Sequence, residues 1–221
     1  MPTKLHLTST PVIDSGHPKV IEFTKAHSNE MASDTQNAVA LYYAVRDSIR
    51  YDPYHIDLET KGFKASTTLE TKFGWCVPKA VLLTACCRAA GIPARLGFAD
   101  VKNHLTSKKL RREMNTDIFM WHGYSDIYLQ EKWVKATPAF NLSLCEKANI
   151  HPLEFDGTED SIYHEFDKAG NRHMEYVNHH DVFDDLPYEQ ILDTFAKHYS
   201  KALSANTEGD FEQDVASEHR S

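Results

Sequence analysis

Nowhere in these 221 residues does an apolar run approach the length needed to cross a bilayer, roughly 20 residues. The first twenty residues, MPTKLHLTSTPVIDSGHPKV, also lack an apolar stretch of signal-peptide length. A cytoplasmic chain with no membrane partner is expected. A basic surplus is missing too: Lys+Arg number 24 against Asp+Glu 32, a formal charge of −8, so nothing is left over to displace counterions from a phosphate backbone. That excludes nucleic acid as the main partner. The four cysteines, Cys76, Cys86, Cys87 and Cys145, form no CxxC pair, which argues against a zinc knuckle and a disulfide framework alike. No acidic cluster has calcium-loop spacing. His173, His179, His180 and Asp181 crowd HMEYVNHHD without a ligand spacing, and adjacent histidines on a strand would face opposite sides. No metal and no cofactor is expected. Internal repeats are absent.

What is present is material for a core. With 41% hydrophobic residues the chain can bury one sizeable interior, so a single domain over residues 1 to 202 is expected, followed by a polar, disordered tail over 203 to 221. HPKVIEFTKAHSNEMASDTQNAVALYYAVRDSIRYD reads as two helices, the second closed by Asp52-Pro53. VPKAVLLTACCRAAG is a helix apolar on most sides, hence central, with Gly91 at its end and a strand, IPARLGFADV, beyond. IFMWHGYSDIYLQ and KWVKATPAF read as a β-hairpin turning near Gln130 and Glu131, with residue 127 opposite 134 and 124 opposite 137. Residues 102 to 117 are a polar excursion, 141 to 184 a turn-rich stretch, and PYEQILDTFAKHYSKAL a closing amphipathic helix.

Among the cysteines, Cys76 stands where a helix begins, after Gly74-Trp75 and two residues before Pro78. Helix-start N–H groups favour a thiolate, and proline is tolerated in a first turn, so the placement favours the nucleophilic form. Cys86 and Cys87, flanked by Leu83, Ala85, Ala89 and Ala90, read as packing residues. A nucleophilic thiol needs a base. Of thirteen histidines, His122 differs in lying inside an apolar strand, and the hairpin register brings the polar Thr137 near it. Asp126 is about 13 Å along the same strand from His122, too far to orient it. Trp75 and Trp121 flank the two candidates and read first as core aromatics, while the basic SKKLRRE of residues 107 to 113 reads as a solvated face rather than a guide for an acidic substrate.

ASTTLETKFGWCVPKAVLLTACCRAAGIPARLGFAD followed by MWHGYSDIYLQEKWVKATPAF resembles the core of the transglutaminase-like superfamily, over roughly residues 35 to 141. The resemblance implies an α+β, papain-like fold, with a central Cys-bearing helix packed on an antiparallel sheet that carries the histidine. It implies Cys76 as nucleophile and His122 as base. The family's aspartate position is occupied by Thr137, whose hydroxyl can fix an imidazole tautomer but cannot stabilise imidazolium as a carboxylate does. The implied function is a thiol-dependent hydrolase or acyl transferase acting on an amide, peptide or isopeptide bond of a peptide, protein or small amide substrate. The alternative is a binding or scaffold module whose catalytic set has decayed, a reading that Thr137 motivates.

Overall fold

The computed structural model describes residues 1–103, 107–162, 166–171, 173–199 and 208–218. Three helices prepare the ground for the central one. Pro18, pre-set for a first turn, opens α1 (Pro18–His27). Ser33 and Gln36 form a reciprocal capping box that starts α2 (Asp34–Ser48). A short parallel pair, β1 (Arg50–Tyr51) and β2 (Phe73–Gly74), brackets α3 (Ala65–Thr71) and delivers the chain to α4 (Cys76–Ala89).

Every residue of α4 from Cys76 to Arg88 is buried, as expected of a helix apolar on all sides. Its C-terminus is closed by Gly91, whose φ of +79° lets the Ile92 N–H turn back to the Cys87 carbonyl at 2.9 Å. Pro93 then leads into β3 (Ala94–Asn103), which is flanked by β4 (Ile118–Leu129) and β6 (Met174–Phe183), with β5 (Lys132–Ala136) outside β4. All neighbours are antiparallel, in the order β5-β4-β3-β6, giving the α+β class expected. The hairpin has the expected register, Ile127 opposite Val134. Its two turn residues, Gln130 and Glu131, both take positive φ (47° and 65°), as a type I′ turn requires.

One face of the sheet packs on α4, with α1, α2 and α3 on the far side of that helix. Buried polar groups lock the layers. Ser125 donates to the Ala80 carbonyl (2.9 Å) and accepts from Thr84 (3.0 Å). Lys79, fully buried, donates to the Arg46 and Ile49 carbonyls at the end of α2 (2.9 and 2.5 Å). Arg88 donates to the carbonyls of Ala94 (2.9 Å), Thr8 (2.7 Å) and Asp184 (2.7 Å), tying three chain segments to the end of α4.

Three stretches differ from expectation. The excursion at 102 to 117 contains α5 (Lys108–Met114), which buries Leu110. The turn-rich stretch supplies α6 (Leu142–Lys147) and the edge strand β6. The closing helix is α7 (Tyr188–His198), and its expected last residues, 200 to 203, lie outside the described residues, as do 203 to 207 and 219 to 221 of the expected tail. Within the span of that expected tail lies α8 (Phe211–Glu218), with Phe211, Val215 and Ala216 among its buried residues. Phe211 packs edge-on against Tyr51 and Tyr54, which gives this polar segment an apolar anchor.

Replacing Arg88 with Met leaves three carbonyls to find new partners. Hydrogen bonds to a charged group contribute about 1.5–3 kcal/mol each and are not additive, so a total loss of about 3 kcal/mol is expected. Thermal denaturation of Arg88→Met should show Tm lower by roughly 6–12 °C. An unchanged Tm would mean that water satisfies those carbonyls equally well.

Candidate active site

The β1/β2 pair sets the start of α4. Lys72 reverses the chain with φ +61°, Phe73 and Gly74 pair with Arg50 and Tyr51, and Trp75 becomes the N-cap with no side-chain hydrogen bond of its own. Cys76 is thus the first residue of the helix, with Pro78 in the first turn, as the sequence indicates. Burial pushes the Cys76 thiol up to about 12, and backbone N–H donors from Gly123, Val77 and Cys76 itself pull the other way. The helix-start donors are present as expected, but burial outweighs them. Alone, this thiol is protonated at neutral pH, and it ionises only if a base takes its proton. Burial raises Cys86, Cys87 and Cys145 as well.

The Gly123 N–H that reaches the thiol comes from the residue after His122. Gly123 faces α4 at very close range: a Cβ there would lie 3.2 Å from the Val77 Cα. His122 pairs with Ala99 on β3 and is buried. Thr137 follows the last β5 residue. Continuing the Ser125 to Ala136 register by one step sets it opposite Tyr124, diagonal to His122. Its backbone is held by Ser161 and Tyr42, and its buried hydroxyl has no hydrogen-bond partner among the described residues. Asp126 is committed elsewhere, 2.8 Å from Arg95 Nε. Trp121 and Trp75 are both buried, as core aromatics would be.

Cys76 lines a cleft of about 970 Å³. Aromatic side chains, among them Tyr51, Tyr54, Trp75, Tyr188 and Phe195, form much of its wall, and His122 and Thr137 are not part of that lining. Asp57, Glu59, Glu113 and Glu208 contribute carboxylates, and no lysine or arginine lines it among the described residues. Glu59 is offset by Lys61 at 2.8 Å. His55 also lines the cleft, its Nδ1 2.9 Å from the buried Asp52 carboxylate, which Arg50 and the Tyr54 N–H hold in turn. Sequence reasoning missed this pair, although RYDPYH carries an acid and a histidine three residues apart. No group of three or more metal-ligating side chains occurs among the described residues, and no described helix is long and apolar enough to cross a membrane.

A family model described as the transglutaminase-like superfamily matches residues 22–138, a span that contains both Cys76 and His122. Among solved structures, "a Putative Cysteine Protease from Cytophaga hutchinsonii" superposes with a TM-score of 0.47 at 18% identity, covering 80% of this chain and 53% of that one. A "Putative Protease from Parabacteroides distasonis" does so with a TM-score of 0.39 at 16% identity, over 57% of this chain and 24% of that one. The chain therefore spans about half and about a quarter of those two proteins. No curated protein matches it significantly.

Gly123→Ala probes the contact beside the thiol. The new methyl meets helix backbone rather than a flexible side chain, so overpacking of roughly 1–3 kcal/mol is expected together with a displaced Gly123 N–H. The paired readout is Tm and the rate at which Cys76 is alkylated, and both should fall. A variant with wild-type stability and labelling would show that β4 has room to move away from α4.

Proposed function

The chain belongs to the transglutaminase-like superfamily, and from that premise we propose that it is a thiol-dependent hydrolase of peptide or isopeptide bonds, with Cys76 as nucleophile and His122 as base. The observation that carries this reading is the thiol at the first residue of α4, lining a large aromatic cleft and touching the peptide that follows His122. In this reading Sγ attacks the acyl carbon while its proton passes to His122. The Cys76 backbone N–H, oriented by the helix start, stabilises the developing oxyanion. The amine leaves with the proton from His122. Water then adds to the thioester, gives a proton back to His122, and the acid departs as the thiol is restored. An amine in place of water would make the same steps an acyl transfer.

The cleft favours a particular substrate. Its volume suits a short peptide segment, its wall suits aromatic or long aliphatic side chains, and its carboxylates suit lysine or arginine rather than aspartate or glutamate. A cleft of one charge sign raises association with the opposite sign by a factor of roughly 10 or more at low salt. Fluorogenic peptides with basic residues should therefore show the higher kcat/KM, with the advantage shrinking as salt is added. Equal turnover of basic and acidic peptides would remove the charge part of the reading.

A second reading has its own observation. The buried thiol is pushed up, and Thr137 stands where the family carries an acid, as expected of a binding module that keeps the fold without the chemistry. Iodoacetamide separates the two. A working pair labels Cys76 selectively at mildly acidic pH, and His122→Gln abolishes that selectivity. Slow, equal labelling of all four cysteines would establish the binding module instead. Within the enzyme reading, Thr137 orients the imidazole only by turning its hydroxyl, which has no partner among the described residues, onto the ring in the substrate-bound enzyme. Thr137→Val should then lower kcat/KM by up to about tenfold, the equivalent of a lost neutral hydrogen bond of about 0.5–1.5 kcal/mol, whereas Thr137→Asp should raise activity or broaden its pH range. Two unaltered profiles would reassign the third position.

A further inference from the structure

Just before His122, β4 carries one residue more than its partner. Ala99 pairs with His122 and Val101 with Phe119, so Met120 and Trp121 together oppose the single residue Asp100. This is a β-bulge, and its second residue, Trp121, takes φ +60°, a left-handed value that glycine adopts freely and tryptophan rarely. For a bulky residue that conformation is strained and needs to be held.

Side chains hold it at both displaced amides. The Met120 N–H donates to the Tyr199 hydroxyl at 2.7 Å, and Tyr199 donates onward to the Ile118 carbonyl at 2.8 Å. The Trp121 N–H donates to Asp100 Oδ1 at 3.1 Å. His180 on β6 reaches the same oxygen, its Nε2 at 2.7 Å, and Asn178 donates to Oδ2 at 3.3 Å. The His180 ring also lies flat on the Trp121 indole, centroids 4.2 Å apart and planes 6° apart. Backbone and ring of Trp121 are thus gripped by one carboxylate–imidazole pair reaching it from β3 and β6.

We propose that Asp100 and His180 are positioning residues that hold Trp121 in its left-handed conformation and thereby fix where the next residue, His122, presents its imidazole. The inference rests on the reading of His122 as the base. It gives the histidine-rich HMEYVNHHD stretch a task that is not metal binding. A bulge relaxed to ordinary strand geometry would re-aim the following side chain. A misplacement of about 1 Å in a reacting group is enough to cost up to about a hundredfold in rate.

The experiment uses the full chain, with iodoacetamide as the probe of Cys76 at mildly acidic pH and ¹³C-labelled histidine to follow the His122 ring by NMR. His180→Ala and Asp100→Ala should each slow Cys76 alkylation by roughly tenfold or more and shift the His122 cross-peak. Adding Trp121→Gly to His180→Ala should recover most of the rate, because glycine takes φ +60° without strain. A purely structural clamp behaves in the opposite way. Cutting a second core ring would then lower Tm further and rescue nothing. If His122→Gln slows alkylation while the Asp100 and His180 variants label at the wild-type rate with an unmoved His122 signal, the positioning role is overturned and the base survives. If His122→Gln itself labels like wild type, the base assignment falls and the positioning role falls with it.

Discussion

The closeness of β4 to the first turn of α4 is the constraint on which the rest of the structure turns. Gly123 lets the strand backbone come close to Val77 without crowding, since a Cβ there would stand 3.2 Å from the Val77 Cα. From that contact follow the Gly123 N–H on the thiol and the seating of Ser125 between Ala80 and Thr84. It also requires a helix with no polar face. α4 is wrapped by the sheet on one side and by α1, α2 and α3 on the other, so its few polar side chains must find buried partners, as Lys79 and Arg88 do.

Parts of this were legible because they are written locally. The central helix shows as an unbroken apolar segment ended by glycine, and the hairpin shows as two aromatic and β-branched runs with a polar pair between them. That spacing alone sets Ile127 against Val134. The edge strand β6 was not legible because half of its residues are exposed and neither face is consistently apolar, Asn178 and His180 interrupting one and Glu175, His179 and Asp181 the other. β1 and β2 are two residues each, below any periodicity. α8 hides in a polar segment because its buried apolar residues are few, Phe211, Val215 and Ala216, and Phe211 finds its partners, Tyr51 and Tyr54, on a cleft wall far away in sequence.

For the site the division is similar. A cysteine at a helix start, with proline in the first turn, is a local pattern and could be read. The effect of burial on that cysteine could not, because it depends on how much of the fold closes over it. Whether the thiol is reactive is decided by that competition, and burial wins unless a base accepts the proton. The left-handed Trp121 was equally invisible. Nothing about a tryptophan between Met120 and His122 announces φ +60°, a conformation imposed by Asp100 from β3 and His180 from β6.

The charge of the cleft likewise follows from packing and not from composition alone. The basic stretch at 107 to 113 reads in isolation as a solvated face. In the fold it sits against the C-terminal segment: the Lys109 ammonium donates to the Glu208 backbone carbonyl and lies over the Tyr54 ring, while the Lys108 backbone N–H donates to the Glu218 carboxylate at 3.0 Å. Arg50 is taken by Asp52 and Asp210, and Lys147 by Glu212. Tyr54 is fixed by Asp214. α8 therefore does two things at once. It anchors Phe211 against the aromatic wall, and its Glu212 pairs with Lys147 while Asp210, just ahead of the helix, pairs with Arg50; neither cation lines the cleft beside Cys76, whose carboxylates give it an acidic character.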